Sequence, residues 1–152
     1  MRTVYQAHRE RKGDWNQPVV LAHTLGDVKT DVMFTRLTPI LPVGDVRGEL
    51  AFYEQLGFEQ HTDPDETYPV EEFAAIAHGD SILFGLAASE DPASVPPVGL
   101  EWQFETTDLE SVSRAAAAAR LEVTVPITMQ SWGRRMMTVR SPNGYAVSFE
   151  EG

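Results

Sequence analysis

Leu41-Pro42-Val43-Gly44-Asp45-Val46 and Phe104-Glu105-Thr106-Thr107-Asp108-Leu109 lie 63 residues apart and read as one pattern written twice. At the same offset Leu56-Gly57-Phe58-Glu59 falls on Ala119-Arg120-Leu121-Glu122 without a gap. In each copy an alternating strand ends at an Asp, a helix follows, and the chain returns to extended structure. A repeat of this size marks a duplicated supersecondary unit whose halves bury their apolar faces together.

The first helix runs from Val46 to Leu56, with Val46, Leu50, Tyr53 and Leu56 forming one apolar stripe. Asp45 stands where an N-cap carboxylate takes up the free amide hydrogens of the first turn, and Gly57 where a left-handed C-cap belongs. Asp108 caps the second helix, which continues through Leu109, Val112, the alanines 115–119 and Leu121. Alanine favours helix and lets a helix approach a sheet closely.

Each helix is followed by more extended sequence. In the first half this is Phe73 to Ala77, a Gly79-Asp80 turn, then Ser81 to Leu86. In the second it is Met136 to Val139, Ser141-Pro142-Asn143-Gly144, then Tyr145 to Glu150, a hairpin signalled by Asn-Gly. Ser89 to Gly99, with its prolines, links the halves. The expected fold is therefore α+β: two βαβββ modules, 37–88 and 99–152, forming one domain, preceded by an N-terminal extension over 1–36.

The extension differs in charge. Residues 1–36 carry six basic and four acidic side chains; the rest of the 152-residue chain carries six and nineteen, within a net charge of -11. The segment reads as a native arm, a leader, or translation from a start upstream of Met33. Pro18 to Ala22 is apolar enough for a short strand that could pair with a sheet edge. Its beginning lacks the apolar core of a secretory signal, and no run reaches the length of a membrane span, so a cytoplasmic protein without membrane partners is expected. The acidic balance excludes nucleic acid, whose phosphates need clustered cations. The absence of cysteine excludes disulfides, thiolate metal sites and a cysteine nucleophile.

Pro39 to Val46 together with Ala51-Phe52-Tyr53-Glu54-Gln55-Leu56-Gly57-Phe58-Glu59 resembles the opening of the vicinal-oxygen-chelate superfamily, which includes glyoxalase I, extradiol dioxygenases, and bleomycin- and fosfomycin-resistance proteins. Trp132-Gly133-Arg134 and Arg140-Ser141-Pro142-Asn143-Gly144-Tyr145 resemble its second-half ending, so the likeness covers about Leu37 to Glu151. The resemblance implies a curved sheet whose concave face holds a ligand, homodimers with grooves between subunits, and, in many members, a divalent cation held by four side chains.

Strand alternation locates the equivalent positions. Trp102 and Phe104 face the helices, leaving Glu101, Gln103 and Glu105 on the concave side; the repeat adds Thr38, Ile40 and Pro42 from the first strand. In the last strand Val147 and Phe149 face the helix, while Ser148 and Glu150 face the cavity. The four ligand positions become Thr38, Gly85 (or Phe84), Glu101 and Ser148, of which only Glu101 is a competent ligand. One carboxylate does not hold a divalent cation, so no metal and no cofactor is expected, and with them goes the metal-dependent chemistry.

What remains is aromatic and acidic. Trp132 follows a loop, Pro126 to Ser131, and the resemblance implies that it lies near the cavity mouth; alternation adds Arg134 and Met136; Glu101, Glu105 and Glu150 supply negative charge. The expected protein sequesters a cationic or aromatic small molecule, an antibiotic among the candidates, without transforming it. The alternative is a metal-dependent lyase or isomerase of glyoxalase or dioxygenase type. His8, His23, His61 and His78 show no ligand spacing; the acidic stretch Asp63 to Glu72 lacks the central Gly of a calcium loop; Tyr145 reads as a packing residue.

Overall fold

The computed structural model describes residues 36–64 and 68–152. The strand expected at Pro18 to Ala22, His8, His23, Asp65 and Glu66 lie outside them.

The elements follow in order: β1 (Ile40–Val43), α1 (Val46–Gln55), β2 (Glu59–His61), β3 (Phe73–His78), β4 (Ser81–Ala88), β5 (Glu101–Thr106), α2 (Leu109–Ala118), β6 (Glu122–Met129), β7 (Arg135–Arg140) and β8 (Ala146–Glu151). They build two four-stranded sheets with the same topology, β1-β4-β3-β2 and β5-β8-β7-β6. In each, the first strand runs parallel to the last and the other pairs are antiparallel. This is the duplicated βαβββ pattern. No described helix is long and apolar enough to cross a membrane.

Local chemistry sets the helix limits. Asp45 accepts from the Gly48 amide and Asp108 from the Ser111 amide, each satisfying a donor of the first turn. At the far end of α1 the Phe58 amide donates to Tyr53 O and the Gly57 amide to Glu54 O, with Gly57 at φ +93°. That is a Schellman cap, closed by the edge contact of the Phe58 and Tyr53 rings. The second helix ends the same way, Leu121 donating to Ala116 O and Arg120 to Ala117 O. Leu121 therefore stands beyond α2, as a capping residue.

The core gathers Leu41, Val43, Leu50, Tyr53, Ile76, Phe84 and Leu86 from the first half with Leu109, Ala116, Met137, Val139, Val147 and Phe149 from the second. Aromatic rings cross between the halves, where Phe84 meets Trp102 at 5.2 Å and Phe58 meets Phe104 at 4.8 Å; within the second half Phe104 stacks on Phe149 at 5.6 Å. Each fully buried side chain of this size contributes about 1.5–3 kcal/mol. Both sheets turn their helix-side faces into this core, so the open face of each lies on the side away from it.

Two features differ from expectation. The stretch from Pro126, read as a loop, is mostly strand: β6 continues to Met129. It is an edge strand, where a missing proline N–H breaks no ladder, and its register shifts on either side of Val125. Glu49 and Phe52 are also buried, although neither belongs to the apolar stripe of α1. The turn between β7 and β8 covers that side of the helix. There Asn143 Oδ1 accepts from the Gly44 and Asp45 amides, while its own amide and Nδ2 donate to Glu49 Oε2 at 3.1 and 2.7 Å. Nearby, Tyr145 donates its hydroxyl to Pro42 O. The second half thus caps the first helix.

Candidate ligand-binding site

The open face of the second sheet is built from alternate residues of three neighbouring strands. Register sets Gln103 beside Ser148 and Glu105 beside Glu150 across β5 and β8; Met136 stands opposite Glu150 and Thr138 opposite Ser148 across β7 and β8. Trp132 and Arg134 enter from the turn between β6 and β7. Alternation dictates this company, because residues directly opposite share a face.

Hydrogen bonds join these residues into two linked groups. Glu150 accepts from the Trp132 indole N–H at 2.8 Å on Oε2 and from Arg134 at 3.1 Å on Oε1. Arg134 also reaches Glu105 at 3.2 Å. Bonding to Glu105, and then to Glu150, holds the Arg134 guanidinium above its ordinary pKa, so it stays charged. Glu150 is nearly buried, and its cost of desolvation is offset by these two donors. Trp132, by contrast, is 58% exposed: its N–H is fixed and its ring face is left to solvent.

The second group lies further along β8. Ser148, fully buried, donates to Glu101 Oε1 at 3.0 Å and sits 2.9 Å from the Thr138 hydroxyl. A serine hydroxyl has one hydrogen, so with that hydrogen on Glu101 the Thr138 hydroxyl donates to Ser148. Thr124 donates in turn to Thr138 O, extending the chain to the edge strand. Glu101 and Gln103 are exposed, and Gln103 has no side-chain partner among the described residues.

Eight of the ten site residues expected from the sequence therefore share one face: Glu101, Gln103, Glu105, Trp132, Arg134, Met136, Ser148 and Glu150. Thr38 and Ile40 do not join them. Thr38, expected on the first strand, lies ahead of it, and Ile40 belongs to the first sheet, where it lies over Gly85 together with Phe73: a Cβ added at Gly85 would fall 2.7 Å from Ile40 Cδ1 and 2.8 Å from Phe73 Cε2. That open face is apolar. Thr138 also belongs to this face, although it was not among the expected site residues; its signal is the same alternation that selects Met136 and Arg134.

The four positions that would ligate a metal in this fold do not fit one. Thr38 lies ahead of β1, Gly85 stands on the other sheet and has no side chain, Ser148 is committed to its hydrogen bonds, and one oxygen of Glu101 is occupied by Ser148. Among the described residues no three His, Cys, Asp or Glu side chains gather closely enough to hold an ion. Three carboxylates against one guanidinium leave this face with a formal charge of about -2, which favours a cation at close range. Tyr145 remains a packing residue, its hydroxyl pushed up to about 12 by burial and then by the charge of Glu49.

Residues 23–149 match the family described as the Glyoxalase/Bleomycin resistance protein/Dioxygenase superfamily, beginning ahead of the boundary expected at residue 37. No curated protein matches the sequence. Among solved structures, the bleomycin-binding protein from bleomycin-producing Streptomyces verticillus, complexed with copper(II)-bleomycin, is 25% identical, with a TM-score of 0.59 over 80% of this chain and 98% of its own. The bleomycin resistance determinant encoded on the transposon Tn5 is 21% identical, with a TM-score of 0.60 over 78% and 98%. A protein of unknown function from Agrobacterium tumefaciens str. C58 is 20% identical, with a TM-score of 0.60 over 82% and 99%.

Proposed function

The chain belongs to the Glyoxalase/Bleomycin resistance protein/Dioxygenase superfamily, and from that premise we propose that it is a metal-independent binding protein that sequesters a cationic or aromatic small molecule on the open face of its second sheet. The observation that carries this reading is the pair of bonds on Glu150. One carboxylate anchors both the Trp132 indole and Arg134, so the aromatic face is oriented and open while Glu101 keeps a free oxygen. An aromatic cation stacks on the indole, a contact of about 0.5–2 kcal/mol, and is neutralised by the carboxylates around it.

Sequestration follows from what the face contains. It offers stacking, charge and hydrogen-bond acceptors, but no donor set for a Lewis acid, and its one hydroxyl beside a carboxylate, Ser148, is buried. The complexes with bleomycin formed by structural neighbours support a guest of this type. A homodimer completes the pocket in this proposal: the polar face described above and the apolar face around Ile40 and Phe73 both lie open on one subunit, and a second copy brings one against the other.

Tryptophan fluorescence tests the proposal. Metal-free bleomycin and the aromatic cation ethidium should quench emission saturably, and Trp132→Ala should abolish the change while leaving the emission of Trp15 and of the half-buried Trp102. Quenching that survives in Trp132→Ala overturns the site. A stoichiometric transition metal in elemental analysis of the purified protein would instead favour the lyase or isomerase reading.

A further inference from the structure

A second cavity lies on the helix side of the molecule, away from the face just described. It measures about 330 Å³ and is lined by Phe52, Arg120, Leu121, Arg140, Pro142 and Gly144, among others. That volume is at the lower end of the range for small-ligand pockets, about 300–1,000 Å³. Phe52, Leu121 and Pro142 give it an apolar wall, and two arginines, Arg120 and Arg140, line it together with Glu122.

Arg120 is unusual in two ways. It has φ +56°, and among the described residues no other non-glycine is left-handed. The repeat pairs it with Gly57, which occupies the same cap position at φ +93°. Where one half uses the residue that fits such backbone freely, the other keeps a side chain at a cost of about 1 kcal/mol. The guanidinium is also uncommitted. Arg47, Arg134, Arg135 and Arg140 each pair with a carboxylate and Arg114 with a hydroxyl, whereas Arg120 has no side-chain partner among the described residues. In a domain so rich in acids this is a notable omission. Arg140 is only lightly held: its Nε reaches Glu122 at 3.3 Å in an exposed pair, and such pairs contribute little. Its terminal nitrogens remain free.

We propose that this cavity is a binding site for a small organic oxyanion, a carboxylate or phosphate monoester with an aromatic or branched body. The anionic head is taken by Arg120 and Arg140, whose forked donors match two oxygens at once, and the body lies against Phe52, Leu121 and Pro142. Glu122 also lines the cavity, paired with Arg140 Nε, and leaves the Arg140 terminal nitrogens to the ligand. The site is distinct from the proposed cation face in both position and charge.

The test uses the full chain, ¹⁵N-labelled, titrated with benzoate and with phenyl phosphate at constant ionic strength, chloride serving as the control. Either ligand should shift the amides of 120–122 and 140–144 saturably, with millimolar affinity, and leave Trp132 unmoved. The two arms distinguish a carboxylate from a phosphate ligand. Arg120→Gly should weaken binding at least tenfold while its melting midpoint stays equal or rises, because glycine suits the backbone there. Shifts that do not saturate, that centre on Trp132, or that persist at equal affinity in Arg120→Gly overturn the proposal.

Discussion

Replacing Asn143 by alanine should reveal how the second half holds the first. The side chain makes four hydrogen bonds: Oδ1 takes the amides of Gly44 and Asp45 at 2.9 and 3.0 Å, and Nδ2 gives to Asp45 O at 3.1 Å and Glu49 Oε2 at 2.7 Å. Three of them lie near solvent, where water replaces them and little is lost. The fourth serves a fully buried carboxylate, whose Oε1 already has no partner among the described residues. Losing a bond to a charged group of this kind costs about 1.5–3 kcal/mol, and the exposed bonds add about 1 kcal/mol together. A total near 3 kcal/mol corresponds to a fall of roughly 10 °C in melting midpoint for a domain of this size.

The pH dependence makes the test specific. Burial raises the Glu49 pKa above the ordinary carboxylate value, the Ser141 and Asn143 donors pull it part of the way back, and Asp45 adds a small rise. A carboxyl raised on folding favours the folded state fully below its unfolded pKa, and that contribution is lost as pH rises through the folded value. Removing the Asn143 donor raises the folded value further. The deficit of Asn143→Ala should therefore be larger at pH 8 than at pH 5, measured by calorimetry on both proteins at both pH values. A midpoint lowered by less than 3 °C, or by the same amount at both, would refute the claim that this side chain sustains a buried charge.

Ser148→Ala removes the bond to Glu101 and strands the buried Thr138 hydroxyl, so chemical denaturation should show a loss of about 1–3 kcal/mol, partly recovered in the double variant with Thr138→Val. Gly57→Ala meets no atom within 4 Å but must adopt φ +93°; its loss of about 1 kcal/mol should appear in the same assay, with binding unaffected. Tyr145 should ionise only near pH 12 in ultraviolet titration, and Tyr145→Phe should cost about 1 kcal/mol through its bond to Pro42.

The architecture was legible because its signals are local and repeated. Asp45, Asp108 and Gly57 mark their helix ends by chemistry that needs only neighbouring residues, and alternation along β5 and β8 sorts Trp102, Phe104, Val147 and Phe149 from the site residues between them. What escaped depends on pairing across long separations. Glu49 is polar and sits off the apolar stripe; its burial becomes visible only when Asn143, 94 residues away, is placed against it. Thr38 and Ile40 match the site by repeat symmetry, yet symmetry cannot say which half's open face a residue will share. Pro126 looks like a loop residue until β6 is known to be an edge. Arg120 shows no sign of a left-handed backbone except that its counterpart is glycine.

The most direct test of the account is calorimetric titration of chelator-treated, metal-stripped protein with ethidium, set beside Glu101→Gln and Trp132→Ala. A cation-binding face that needs no metal predicts an affinity within twofold of untreated protein, about tenfold weaker in Glu101→Gln and lost in Trp132→Ala. Binding that disappears on stripping and returns with an added divalent ion would contradict it.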